Sequence, residues 1–174
     1  VALVNTHAHF DHSGEIPLLL DEYNVSWYLH KDDFFLQSLA QESGMRWGFV
    51  LPEPAIADKL LEDNMILELG TLKFKILHTP GHTLGGCCIL VEVEGGPDQL
   101  FAGDTLFAGS VGRTDLPNTG GDFNLLTNSI ISKLWPLDDD TVVHPGHGPT
   151  TTIGKEKSTN PYVGSGNPAF GKFH

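Results

Sequence analysis

An α+β domain is the fold class this sequence predicts, and three observations predict it. Short apolar runs of strand character alternate with segments whose apolar residues recur at helical spacing. Several of the apolar runs end in a loop containing Gly or Pro that also carries His or Asp. The 174 residues, 40% hydrophobic and 18% charged, suffice for one domain with a real core and are too few to predict two. Loops held by a rigid scaffold are where chemistry is placed, and these are predicted to converge on one edge of the sheets.

In chain order, the run 1–4 predicts a buried strand delivering Thr6-His7-Ala8-His9-Phe10-Asp11-His12. Ser13 or Gly14 opens a helix with Ile16, Leu19, Leu20 and Tyr23 at helical spacing. Residues 25–30 predict a strand, with His30 in a structural or exposed role at its end. Lys31-Asp32-Asp33 leads into a helix running to about Glu42, its acids favourable at the N-terminus and Gly44 its C-cap. The irregular stretch 45–54 places Trp47, Phe49 and Val50 either on a pocket wall or against the core.

Residues 66–69, the Gly70-Thr71 turn and 72–77 predict a hairpin. There Leu72, Phe74 and Ile76 alternate with Lys73 and Lys75 to give one buried and one wet face. A strand at 87–93 and a turn at 94–98 precede 100–102, which runs into Gly103-Asp104-Thr105. Asp122 caps a helix from Phe123 to about Trp135, with Leu126, Ile130 and Leu134 on one side. The last predicted strand, 141–143, ends at His144-Pro145-Gly146-His147-Gly148. The expected organisation is one domain over 1–174, with about 165–174 a flexible tail. Val1 already lies within a strand-like run, so an N-terminally incomplete domain is expected.

Net charge is −12, from 22 acidic and 10 basic residues. Nucleic acid and anionic membranes need clustered Lys and Arg, so neither is expected as a partner. A small anionic substrate is compatible, because bound cations dominate the field of a site. No apolar run reaches about 18 residues, so no membrane span is predicted, and no signal-peptide pattern is present. Cys87 and Cys88 are adjacent, which points them to opposite faces of a strand and predicts buried, unlinked thiols suited to a reducing cytoplasm.

The chemistry concentrates in four islands: His7/His9/Asp11/His12, His82, Asp104 and His147. In extended backbone His7 and His9 point to the same side. Five imidazoles and two carboxylates suit divalent metals, and catalytic sites keep a position open for water. The natural division gives His7, His9 and His82 to one metal and Asp11, His12 and His147 to a second, with Asp104 bridging. Asp11 and Asp104 are the candidate catalytic carboxylates. A hydroxide shared by two metals forms near neutral pH and needs no separate base. His78 and His144 are read as supporting residues. Gly81, Gly103 and Gly146 are read as permitting close or unusual backbone paths beside the metals.

With these residues in place, His7-x-His9-x-Asp11-His12, His82, Asp104 and His147 resemble the metallo-β-lactamase superfamily, from Val1 to about Pro161. The resemblance implies an αββα sandwich of two sheets flanked by helices. True two-zinc β-lactamases commonly carry Cys at the position of Asp104 and often lack His12, which counts against lactamase activity. Within the superfamily the chain is similar to short glyoxalase II-like hydrolases (hydroxyacylglutathione hydrolases). The residues that carry this are His78-Thr-Pro-Gly-His82-Thr, Gly103-Asp104-Thr-Leu-Phe107, Val111-Gly112-Arg113-Thr-Asp115, Pro145-Gly-His147-Gly-Pro149, Thr152-Ile-Gly154 and Asn160-Pro161. That implies two divalent ions (zinc, with iron or manganese as substitutes) and hydrolysis of S-lactoylglutathione-type thioesters by a bridging hydroxide. It places Arg113 near the glutathione. The glutathione contacts carried by the longer helical C-terminal domain of full-length glyoxalase II are not expected within these 174 residues; Lys155 and Lys157 are candidates to compensate, but are read as a solvated turn.

Gly112-Arg113-Thr114-Asp115 also resembles the persulfide dioxygenases, whose single iron here would be held by His7, His82 and Asp104. Pro145-Gly-His147-Gly favours the two-metal hydrolase. A lactonase or phosphodiesterase of the same fold, and a metal-binding module with a decayed site, complete the alternatives.

Overall fold

In the computed structural model, which describes residues 2–165, the first apolar run is strand β1 (Ala2–Val4). It pairs in parallel with β2 (Ser26–His30), which pairs in parallel with β3 (Lys59–Leu61) to complete a three-stranded sheet. A second sheet of six strands contains β4 (Ile66–Leu69), β5 (Leu72–His78), β6 (Cys87–Val91), β7 (Gln99–Gly103), β10 (Val142–Pro145) and β11 (Thr151–Thr152). Its order is β11-β10-β7-β6-β5-β4, and only β7 and β10 run parallel, joined by a long helical crossover. A two-stranded ribbon, β8 (Leu106–Phe107) with β9 (Ser110–Val111), follows β7.

Three buried clusters define the layering. Ile16 of α2 (Ile16–Glu22) and Leu36 of α3 (Phe34–Ser38) pack on Trp27 and Leu29, so helices cover the outer face of the small sheet. Leu61 of β3, with Val4 and Tyr28, meets Leu67, Ile76, Cys87 and Ile89 of the large sheet, so the two sheets stack face to face. Leu126 of α5 (Phe123–Ser129), with Ile130, Leu134 and Ile153, packs on Cys88, Leu90, Leu100 and Val143, covering the far face of the large sheet. The architecture is an αββα sandwich. Cys87 and Cys88 serve different interfaces, as their adjacency in an extended strand requires, and burial pushes the Cys88 thiol up to about 11. Neither forms a disulfide.

Several predicted elements differ. The first helix starts earlier and is broken: α1 (Phe10–Ser13) ends at Gly14, and α2 follows. The next is also segmented, with a 3-10 turn at Lys31–Asp33, then α3, a break at Leu39, and a further helix α4 (Ala40–Arg46). Gly44 lies inside α4 rather than capping it. A Cβ on Gly44 would sit 2.5 Å from Leu51 Cδ1 and one on Gly14 2.6 Å from the same atom, so the two glycines form the notch that seats Leu51. The expected one buried and one wet face over 72–77 is not found: Leu72 is exposed at the outer end, and at the inner end Ile76 and Leu77 are both buried, one between the sheets and the other beneath α5, because β5 is covered on both faces there. The helix after Asp122 is capped as predicted, the Asp122 side chain accepting from Leu125 N, but its last turn widens to π geometry over Ile130–Leu134. Leu126, Ile130 and Leu134 are nevertheless all fully buried.

The strand at 142–145 is not the last. It is followed by β11 and α6 (Ile153–Thr159), so Lys155 and Lys157 belong to a helix rather than a turn. Lys157 Nζ is engaged by Trp135 O and Asp139 Oδ1, away from any substrate. β3, β8 and β9 were too short to carry a sequence signal. Val1 and the tail assigned to about 165–174 lie outside the described residues, except Ser165, whose amide donates to Lys157 O.

Leu126→Ala removes a fully buried side chain from the helix–sheet interface and is expected to cost about 3 kcal/mol. Asp122→Ala is expected to cost about 1 kcal/mol through the lost cap. Urea denaturation followed by circular dichroism measures both.

Candidate metal centre

β1 ends where the backbone begins to present imidazoles, and α1 then turns Asp11 and His12 towards them. The loop after β5 brings His82, the turn after β7 brings Asp104, and the loop after β10 brings His147. All seven predicted ligand residues meet at one edge of the sandwich. His7, His9 and His82 form one group with ligand atoms within 4.8 Å of one another, and Asp11, His12 and His147 form another. His12 also groups with His7 and Asp104. Asp104 reaches both sets: Oδ2 lies 3.5 Å from His82 Nε2 and 3.6 Å from His147 Nε2, while Oδ1 lies 3.4 Å from His12 Nε2. His147 Nε2 is 3.2 Å from both Asp11 Oδ2 and His12 Nε2.

The first group is closed in and the second opens to solvent. His7 and His82 are buried, whereas Asp11 and His147 are exposed. Burial, reinforced by the neighbouring imidazoles, holds His7 well below the usual imidazole range and lowers His9 to about 4. His12 is lowered too, by burial against the pull of Asp104 and Asp11. Neutral imidazole is the form that ligates a cation.

The residues fit divalent ions on a second ground. Among the described residues, His7 Nε2, His9 Nε2, His82 Nε2 and Asp104 Oδ1 are buried with no hydrogen-bond partner. Each such atom costs about 1–3 kcal/mol if left unmatched. His82 Nδ1 lies 2.6 Å from the Arg113 carbonyl, which can only accept, so the proton sits on Nδ1 and the Nε2 lone pair faces inward. Gly146 is required by this crowding, since a Cβ there would stand 2.2 Å from Asp104 Oδ1. Gly81 and Gly103 adopt φ of 135° and 48°.

The supports were not read from the sequence. Asp33 is fully buried, and its carboxylate accepts from Ala8 N at 3.0 Å, Thr83 Oγ1 at 2.9 Å and Gly85 N at 2.6 Å. It thereby joins the His7/His9 loop to the His82 loop. Burial raises its pKa while the three donors oppose the rise. Its sequence position suggested only a helix N-terminus, because its partners are 25, 50 and 52 residues away. Asn5 is a second support: it accepts from Trp27 Nε1 at 3.0 Å and donates to His12 O at 2.8 Å.

His78 and His144 stand outside the centre. His78 Nε2 donates to Leu84 O and its ring stacks on buried His30, while His144 Nε2 is 2.8 Å from Gln99 Oε1. His30, Asp32 and His78 also come within ligand distance of one another, but His30 Nδ1 accepts from Asp32 N at 3.3 Å and His78 Nε2 donates to Leu84 O at 3.0 Å, so these nitrogens have the protein partners that His7, His9 and His82 Nε2 lack.

Above the centre lies a cleft of about 450 Å³, walled by Phe10, Trp47, Phe107, Leu116, Arg46 and Arg113 together with the exposed ligands. Arg113, expected near the glutathione, lines this cleft, with its guanidinium held by Asp115 at 2.9 and 3.1 Å. Arg46 was not anticipated; it pairs with Glu42 one turn back on α4. Trp47 takes the pocket-wall alternative, whereas Phe49 packs on Phe10 with ring centroids 5.8 Å apart.

Comparison with known proteins gives the following likenesses. The family model of the metallo-beta-lactamase superfamily matches residues 1–147. Hydroxyacylglutathione hydrolase GloC of Haemophilus influenzae is 39% identical over 165 residues, covering 94% of this chain and 76% of the relative. The crystal structure of TTHA1623 in a di-iron-bound form is 42% identical with a TM-score of 0.81, covering 92% of this chain and 76% of that one. The crystal structure of BLEG-1 B3 metallo-beta-lactamase is 39% identical with a TM-score of 0.82, covering 94% and 77%.

Asp104→Ala is expected to lower metal content at both groups, and Asp33→Asn to weaken binding about 10–100-fold by loosening the ligand loops. Equilibrium dialysis with zinc measures both, and an unchanged affinity in Asp33→Asn, with native circular dichroism, would remove Asp33 from the supports.

Proposed function

The chain belongs to the metallo-β-lactamase superfamily and is a metallo-hydrolase, and from that premise we propose that it hydrolyses thioesters of the S-lactoylglutathione type. The observation that carries the reading is the pair of ligand groups sharing Asp104 and His12 beneath a cleft that also presents Arg113. The 39% identity with a hydroxyacylglutathione hydrolase supports the substrate class.

Two divalent ions in these groups, zinc or iron, would supply a hydroxide at neutral pH and polarise the substrate carbonyl. In the net reaction the water oxygen bonds to the carbonyl carbon, the C–S bond breaks, and the products are a carboxylate, a thiolate and two protons at high pH, or a carboxylate and a thiol with one proton nearer neutrality. The chain's own part is positioning. Burial keeps His7 and His9 in the neutral form that ligates a cation, and the Arg113 carbonyl orients the His82 ring with Nε2 inward. Asp104 lies between the groups. Asp11 faces the open side, where a proton can pass to solvent. Arg113, held only by an exposed Asp115, can exchange that partner for a substrate carboxylate.

A second set of ligands beyond His7, His82 and Asp104 favours this reading over a single-iron persulfide dioxygenase. The likeness to BLEG-1 speaks for β-lactam opening, so nitrocefin belongs in the same assay. No helix among the described residues is long and apolar enough to cross a membrane. Two buried unlinked thiols suit a reducing cytoplasm, and the cleft of about 450 Å³ suits a small-molecule substrate.

About two ions per chain and rapid S-lactoylglutathione cleavage are expected, with activity lost on chelation and restored by zinc. Arg113→Ala should raise KM about 3–10-fold, the lower end of a charge-assisted contact at an exposed site, with kcat within about 2-fold. One iron per chain with oxygen uptake on glutathione persulfide would overturn the hydrolase reading.

A further inference from the structure

The segment after α4 is apolar and exposed, yet it is built rather than loose. Trp47 is 67% exposed and Val50 97% exposed. The chain there is nevertheless anchored at both ends: Gly48 N and Phe49 N donate to Met45 O and Gly44 O, Gln41 Nε2 donates to Leu51 O, and Leu51 fills the Gly14/Gly44 notch. Phe49 leans on Phe10, next to the ligand Asp11. A large indole held in water beside a metal centre forgoes the stabilisation that burial would give it. The cations of the cleft divide its two walls. On the α4 wall Arg46 is occupied by Glu42 at i−4, and the other wall presents Arg113, whose partner Asp115 is exposed.

Resting on the thioesterase reading, we infer that the acyl half of the preferred substrate is an apolar, ring-sized group seated on Trp47, with the anionic thiol half directed to Arg113. A lactoyl group has three carbons and a hydroxyl, and it leaves the indole wet. A phenylacyl group covers the indole and the Phe10 edge while its carbonyl stays over the ligand groups. Ser43, also on this wall, is the hydroxyl that a hydroxyacyl substrate would use instead.

The test compares kcat/KM for S-phenylacetylglutathione and S-lactoylglutathione, each divided by its own rate with hydroxide. The metal-loaded protein and its Trp47→Ala and Ser43→Ala variants are used, with metal content measured on each. The phenylacetyl ester is expected to be favoured about 10-fold or more, the gain from burying a phenyl ring against an indole. At full metal content Trp47→Ala should bring the ratio of the two kcat/KM values most of the way towards one, and Ser43→Ala should leave that ratio in place. Equal or greater turnover of the lactoyl ester, loss of both activities together in Trp47→Ala at full metal content, or a selective lactoyl loss in Ser43→Ala would overturn the inference and leave the thioesterase reading standing. Cleavage of neither ester would sink both.

Discussion

The Asp33 carboxylate accepts hydrogen bonds from the backbone beside His7 and His9 and from the loop that carries His82, and it does so in full burial. Those loops leave different sheets, β1 in one and β5 in the other, so nothing in strand pairing alone sets the distance between them. A carboxylate costs several kcal/mol to bury without partners and far less with three donors aimed at it. The geometry that satisfies Asp33 is therefore the geometry that gathers three imidazoles. Around that node, Asn5 fixes α1 to β2 through Trp27, and the Arg113 carbonyl fixes the His82 ring. Among the described residues, four of the six buried side-chain polar atoms without a partner belong to candidate ligands, the other two being Trp135 Nε1 and Thr141 Oγ1, and that concentration at one point is the expected signature of a site built for cations.

The two ligand groups are unlike in their surroundings. The first is enclosed, with His7 and His9 held neutral by burial, and the second opens onto the cleft. An ion held in the enclosed group would be retained by the cost of re-exposing its paired ligands, whereas one in the open group would exchange with solvent and stay within reach of the cleft.

The candidate ligands that the fold gathers were legible in the sequence because each follows an apolar run, in a loop whose glycines and prolines are local signals. The longer strands and the Asp122-capped helix were legible for the same reason. Asp33 and Asn5 were not, since their roles come from partners brought near only by folding. The broken helices at 10–22 and 31–46 were misjudged because apolar spacing carries through Gly14 and Leu39, while packing around Leu51 decides where the backbone bends. Strands of two or three residues, such as β8, β9 and β3, owe their existence to the partner strand and leave no periodic trace.

Cys87 and Cys88 divide two interiors between neighbouring residues, one thiol between the sheets and the other beneath α5. Neither is ionised while the layers are closed, so alkylation requires an opening, and the two openings are separate events. The chain therefore carries an intrinsic pair of clocks. Under a thiol reagent, mass-resolved labelling of one cysteine or the other times the parting of the sheets independently of the lifting of the helix layer.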